Sequence, residues 1–264
     1  MFFDNDDVRR AFGEDEFFPY FQPLVDLRNG QLAGFEALAR WNHLRLGAIA
    51  PEAFIPIVQK CGYINTLTRK LLEKTFEAAP LLTGSLRLSI NISPLQLADE
   101  TLPSQIATVA ARGGFPLERL TVEMTQSALL DDLDCAQSVA AEIKAMHCRL
   151  ALDNFGTGHS SLFHLQALPF DELKIDGAFV HAVMQNRDSR KIVVAVVGLA
   201  KSMGLATVAE GVECEEQARI MTELGCEFAQ GWLFGRPVAA DEIPRMISEV
   251  ASHSSAFLPA ISEV

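Results

Sequence analysis

Short β-branched or apolar runs alternate along the chain with longer stretches of helical periodicity from about Phe18 to about Val250. This alternation is the signature of β-α units. The short runs predict strands over Tyr20–Leu27, Leu32–Leu38, Leu86–Ile92, Leu120–Glu123, Leu150–Asp153, Glu172–Ile175, Ala206–Glu210 and Phe228–Gly231. Between them, helical spacing predicts helices such as Pro51–Cys61, Thr66–Ala79, Cys135–Met146, Ser189–Met203, Glu215–Leu224 and Ala240–Val250, several opened by Pro, Asp or Ser and closed near Gly. Arg28-Asn29-Gly30 has the chemistry of a tight hairpin turn, so the first two strands are expected to be antiparallel neighbours. The remainder predicts mostly parallel strands closed by helices, an α/β fold of the modified (β/α)8 TIM barrel type with an irregular antiparallel first strand. The expected organisation is an N-terminal segment (1–16), a barrel domain (17–250) and a loosely held C-terminal tail (251–264).

Composition narrows this picture. The chain has 264 residues and a formal net charge of -12, which argues against a sequence-independent grip on polymeric DNA or RNA, since that grip needs rows of Lys and Arg. An anionic ligand would need a local cation. The five cysteines are scattered without a Cys-x-x-Cys pair, fitting neither a disulfide framework nor a zinc site. The acidic start MFFDNDD is unlike a secretory signal, and the most apolar run, Ile192 to Ala200, is short of the ~20 residues that span a bilayer. The expectation is a cytoplasmic protein with no membrane contact.

The candidate chemistry lies where the strands end: Glu36, Asn91, Glu123, Asp153 with Asn154, Lys174 with Asp176, and Glu210. In a (β/α)8 barrel the C-terminal strand ends converge on one face, so these distant residues become one ring. Crowded carboxylates repel one another and lose hydration, a cost that hard divalent cations offset. Oxygen ligands without His or Cys favour Mg²⁺ or Mn²⁺ over Zn²⁺, and such a ring suits metal-assisted phosphodiester hydrolysis. Any one strand-end acid is more often a helix cap or an ion-pair partner; the joint pattern carries the reading. The loop Phe155-Gly156-Thr157-Gly158 is read as a tight turn rather than a phosphate cradle, and His159 and His164 lack a second ligand at helical spacing.

The strings YFQPLVDL, GFEALARW (Gly34 to Trp41), NISPLQL, VEMTQS, LDNFGTGHSSL, LKIDGAFV, VAEGVE and QGWLFGRPV appear in one order from Tyr20 to Val238. Together they resemble the EAL family of cyclic di-GMP phosphodiesterases, whose signature is Glu36-Ala37-Leu38 here. The resemblance implies a divalent-metal-dependent hydrolase that opens cyclic di-GMP to linear pGpG. Carried over residue by residue, it implies Glu36, Asn91, Glu123, Asp153 and Asn154 as metal ligands, Lys174 beside the water or phosphate, and Glu210 as general base. It places Gln22, Leu38, Arg40, Asp176 and Gln230 around the nucleotide and Gln126 in support of the metal-bearing loop. Homodimerisation is a further family expectation.

Three positions depart from the acids usual in active members: Gln59, Gln126 and Asn154. An aspartate at Asn154 would give a second metal a full charge, whereas asparagine offers one neutral carbonyl oxygen. Reduced activity is therefore expected. Two other readings stay open: a cyclic di-GMP receptor that signals to a protein partner without turnover, and a nucleotide-free interaction module.

Overall fold

The structure is a computed structural model that describes residues 3–97, 99–125, 133–155 and 162–253. Its strands are β1 (Phe17–Asp26), β2 (Leu32–His43), β3 (Gly47–Ile49), β4 (Arg87–Ile92), β5 (Leu120–Thr125), β6 (Arg149–Phe155), β7 (Glu172–Ile175), β8 (Ala206–Ala209) and β9 (Phe228–Gln230). The helices are α1 (Asn5–Gly13), α2 (Pro51–Lys60), α3 (Ile64–Glu77), α4 (Leu102–Gly113), α5 (Leu133–Ala145), α6 (Leu162–Ala167), α7 (Gly177–Ala182), α8 (Arg187–Ser202), α9 (Glu215–Glu223) and α10 (Ile243–His253). The sheet runs β1-β9-β8-β7-β6-β5-β4-β2-β3, and an additional β1–β2 pairing closes eight of these strands into a ring. The short β3 lies outside that ring, paired only with the overhanging end of β2.

The hairpin expected at Arg28-Asn29-Gly30 is present. Gly30 takes positive φ, its N–H and that of Asn29 are directed at the carbonyl of Asp26, and β1 pairs antiparallel with β2. β1 is also antiparallel to β9, whereas β2 and β4 through β9 are mutually parallel around the barrel, and the outlying β3 is antiparallel to β2. The parallel strands read as near-continuous apolar runs because helices cover their outer faces, and β5 and β7 are buried over almost every residue. At Gly34 the backbone of Arg87 comes so close that an added Cβ would sit 2.4 Å from its carbonyl oxygen, which explains a glycine two residues before Glu36.

Several expectations need amending. The strand-helix alternation assigns no element to residues 1–16, yet Asn5–Gly13 forms α1, opened by a reciprocal cap in which the side chains of Asp4 and Asp7 each accept the other's backbone N–H. Val8 and Ala11 of α1 are buried in a second apolar cluster with Phe17, Trp41 and Phe54. There the Trp41 indole N–H donates to Glu16 at 2.6 Å, and Arg10 donates to the other carboxylate oxygen. The helix expected over Ala240–Val250 instead begins at Ile243, after a 3-10 turn at Ala240–Glu242, and ends at His253. Strand β2 runs five residues beyond the predicted Leu38, because Trp41 and His43 find cover outside the barrel. Among the described residues no helix is long and apolar enough to cross a membrane.

Candidate active site

Strand periodicity and register build the site. In β2 alternate residues share a face, so Glu36, Leu38 and Arg40 point the same way. Gln22 of β1 is paired with Glu36, Gln230 of β9 with Leu24, and Asn91 of β4 with Glu123 of β5, while Asp153 of β6 is paired with Thr125. These pairings bring Gln22, Glu36, Asn91, Glu123, Asp153 and Gln230 to the C-terminal end of the parallel strands.

Lys174 stands at the centre. Only 2% of its side chain is exposed, and its Nζ lies 2.5 Å from Glu123, 2.9 Å from Glu210, 3.1 Å from Glu36 and 4.0 Å from Asp153. Glu36 is held further by Asn91 Nδ2 at 2.5 Å and Gln230 Nε2 at 2.8 Å, and Gln230 also donates to Gln22. One ammonium thus faces four carboxyl groups. Burial raises the pKa of Glu210 to about 8 with help from Asp153 and Glu36, although Lys174 pulls the other way. Burial likewise raises Glu123 and Asp153, while Glu36 is lowered because Lys174 and its amide donors outweigh its own desolvation. The four carboxyl groups hold Lys174 well above its ordinary value despite its burial.

Among the described residues no three His, Cys, Asp or Glu side chains stand in ready-made metal-ligating geometry. The reason lies in the pairings above, since the carboxylates are drawn onto the Lys174 ammonium rather than spread around a common centre. The donor chemistry nonetheless fits a hard divalent cation: Glu36, Glu123 and Asp153 supply carboxylate oxygens, Asn91 an amide oxygen, and Lys174 alone does not balance their charge.

Asn154 lies on a local irregularity of β6, where the register to β7 shifts between Leu152 and Phe155. Its φ is +55°, a region that asparagine tolerates better than most residues. Its backbone N–H donates to one oxygen of Asp153 at 2.8 Å and its side-chain amide to the other at 2.9 Å. An aspartate could not make the second bond.

A cavity of about 740 Å³ opens above this cluster. It is lined by Glu36, Asn91, Asp153, Asn154 and Glu210 of the cluster, and by Gln22, Leu38, Gln230, Asp176 and Trp232. Asp176 also caps α7 by accepting the Ala178 N–H. Arg40 departs from expectation: it is not part of the cavity wall, and its guanidinium donates to the carbonyl of Ala39 at 2.7 Å. Burial lowers its pKa, which leaves a half-buried cation near Glu52 and Glu36. Gln126, His159 and residues 156–158 lie outside the described residues, as does the side chain of His164.

Sequence reasoning missed the wall made by α2 and α3, where Ile55, Pro56, Leu67 and Leu71 give the cavity an apolar side. Gln59 joins that wall to the strand end carrying Asn91, because its amide donates to Ser93 Oγ at 2.9 Å. It also missed the rim. Gly231 is straddled by Val212, which donates its N–H to Gln230 and accepts from Leu233, so a Cβ at Gly231 would sit 2.1 Å from the Val212 oxygen. Gly231→Ala is therefore expected to force the two loops apart at a cost of about 3 kcal/mol, lowering Tm by roughly 6–12 °C in thermal denaturation. An unchanged Tm would show that the loops can separate freely.

Residues 5–237 match the family described as the EAL domain. The chain belongs to the EAL family. Among curated relatives, this EAL domain is 35% identical over 241 residues to the bifunctional diguanylate cyclase/cyclic di-GMP phosphodiesterase MucR of Pseudomonas aeruginosa, covering 90% of this chain and 35% of the relative. It is 34% identical over 235 residues to the cyclic di-GMP phosphodiesterase RocR of the same organism, covering 88% and 60%. An uncharacterized signaling protein of Caulobacter vibrioides is 38% identical over 237 residues, with coverages of 90% and 29%. The chain thus spans about a third of the length of the first of these curated relatives. Among solved structures, the MucR phosphodiesterase in complex with c-di-GMP superposes with a TM-score of 0.85 at 34% identity, covering 90% of this chain and 98% of the other. The EAL enzyme Bd1971 in its cAMP- and cyclic-di-GMP-bound form gives 0.88 at 27% identity, covering 92% and 68%.

Proposed function

We propose that this EAL domain is a divalent-metal-dependent phosphodiesterase that hydrolyses cyclic di-GMP to pGpG. The observation that carries the reading is the gathering of Glu36, Glu123, Asp153 and Glu210 around Lys174 beneath a cavity of nucleotide size. The relatives named cyclic di-GMP phosphodiesterases, and the c-di-GMP complex of one of them, support the substrate class.

Glu36, Asn91, Glu123 and Asp153 would hold Mg²⁺ or Mn²⁺, with Asn154 beside a second ion. A bound divalent cation supplies Lewis acidity toward a phosphoryl oxygen and lowers the pKa of water. Glu210 takes the proton of the attacking water as its oxygen bonds to phosphorus, and the bond from phosphorus to the ribose 3′ oxygen breaks, that oxygen leaving as a hydroxyl with a proton taken up from solvent. A carboxylate in this position can accept that proton and release it again. Lys174 places a positive charge where negative charge grows on the phosphoryl oxygens. Gln22, Leu38 and Gln230 set the position of the nucleotide, and Asp176 lines the same cavity.

A receptor that binds without turnover is the second reading, favoured by the amide of Asn154 on Asp153. The deciding experiment is calorimetry of cyclic di-GMP binding with Mg²⁺ and with Mn²⁺, run beside chromatographic detection of pGpG. Binding at micromolar affinity or better, about 8 kcal/mol, is expected together with pGpG formation. No binding well above that range would leave a protein-interaction module, and binding without pGpG would leave the receptor.

A further inference from the structure

A second cavity, of about 580 Å³, opens at the opposite end of the barrel, among residues that precede or begin the parallel strands. Three cations line it in a chain whose net charge is -12: Arg28 of the β1–β2 turn, Arg149 at the start of β6 and Lys201 of α8. Two acids, Asp171 and Glu227, line it as well. Asp171 is already matched, since both its oxygens lie 2.7 Å from Lys144 Nζ and one also accepts the Leu150 N–H. Arg28 is matched by Asp26 at 2.6 Å. Arg149 is not, because it and Arg87 share a single oxygen of the buried Glu172, at 2.9 Å and 2.6 Å, so that two guanidiniums divide one carboxylate charge. Arg149 Nε and Arg87 Nη2 are buried and, among the described residues, have no aligned hydrogen-bond acceptor. Burial lowers the Arg87 pKa against the pull of Glu172, and the Arg149 charge lowers it further. Lys201 makes no ion pair among the described residues. One guanidinium charge and one ammonium are left over against Glu227 alone.

We propose that this cavity binds a small phosphomonoester carrying hydroxyl groups, with Arg149 and Lys201 on its phosphate and Glu227 accepting from a hydroxyl. Near neutral pH such a phosphate carries close to two negative charges and three acceptor oxygens, which suits cations arriving from separate chain segments, whereas a carboxylate is served by one guanidinium fork. The volume lies in the range of small-molecule sites. Glu227 sets the rest of the ligand. One of its oxygens accepts the Thr207 N–H at 3.1 Å and the other accepts nothing among the described residues, so a bare anion meets repulsion there and a hydroxyl meets an acceptor. The site is separate from the carboxylate cluster: Arg149 opens β6, whose far end carries Asp153, and no residue lines both cavities.

The test titrates the full chain with ribose 5-phosphate, inorganic phosphate and ribose by calorimetry, in EDTA so that no divalent cation draws phosphate to the carboxylate cluster. Ribose 5-phosphate should saturate with a Kd below about 5 mM, and ribose should not bind. Lys201→Met should raise that Kd about five- to tenfold. Its side chain is exposed, so the Tm without ligand should equal the parent's and serves as the folding control. Glu227→Gln should tighten inorganic phosphate by removing a repelling charge but not ribose 5-phosphate, so the ratio of the two affinities should fall about threefold. No saturation by ribose 5-phosphate, or the same Kd in Lys201→Met as in the parent, would overturn the site. Equal binding of ribose 5-phosphate and inorganic phosphate by the parent would overturn the hydroxyl contact, and with it the phosphomonoester. Each of these results leaves the proposed phosphodiesterase standing, because that activity is read from cyclic di-GMP at the other cavity.

Discussion

Glu210→Gln should abolish pGpG formation, slowing turnover by about a hundredfold to ten-thousandfold, while the Kd for cyclic di-GMP changes less than about threefold. The substitution keeps the side chain's shape but replaces the carboxylate 2.9 Å from Lys174 with an amide, whose oxygen is too weak a base to take up the water's proton. A general base acts in the transition state more than in the bound ground state, so the loss falls on kcat. Glu36→Ala should behave differently. It leaves Asn91, Gln230 and Lys174 without a shared partner, so metal-supported binding should weaken along with turnover. If Glu210→Gln hydrolyses as fast as the parent, the base lies elsewhere.

Asn154→Asp carries the second large effect, and the structure sharpens its sign. The Asn154 amide neutralises part of Asp153 by donating to it, and aspartate would replace that donor with a second carboxylate one residue away. Without metal the variant should be less stable than the parent, because two adjacent acids then face each other at a left-handed position that asparagine fits better. With Mg²⁺ or Mn²⁺ the same charge becomes a ligand. A gain of ~3 kcal/mol in the transition state would appear as roughly a hundredfold rise in turnover at a lower metal requirement. The measurements are Tm with and without metal, and steady-state hydrolysis against metal concentration. A rise in metal-free Tm, or no rise in turnover, would show that the amide at 154 is not what limits the site.

The barrel was legible because its signals are periodic and local. Glycine-bearing turn chemistry at Asn29-Gly30 marks the antiparallel start, and the spacing Glu36, Leu38, Arg40 assigns one face of β2 without any structure. Convergence of Glu36, Asn91, Glu123, Asp153 and Glu210 followed from the barrel itself, since all lie at strand ends. What stayed hidden depends on side-chain direction. The Arg40 guanidinium turns to its own strand's Ala39 carbonyl, and the Lys174 ammonium pairs with Glu36, Glu123 and Glu210 at once, neither of which a strand period announces. The helix α1 was passed over because its face is mostly charged, although the Asp4 and Asp7 spacing was a readable cap. The aromatic cluster around Trp41 joins residues far apart in sequence, and no local pattern announces it.

Closure of the ring by β1 bears on how the chain is born. Within the barrel, the earliest strand to be synthesised must wait for the last, since Gln22 and Gln230, 208 residues apart, meet across the β1–β9 seam. Contacts of such separation are slow to form, and until then β1 pairs with β2 alone and exposes a free edge. The site is completed in the same event, because Gln230 reaches Glu36 only once that seam has formed. A nascent or C-terminally truncated chain is therefore both open to misassociation and without a finished site, whatever its other strands have achieved.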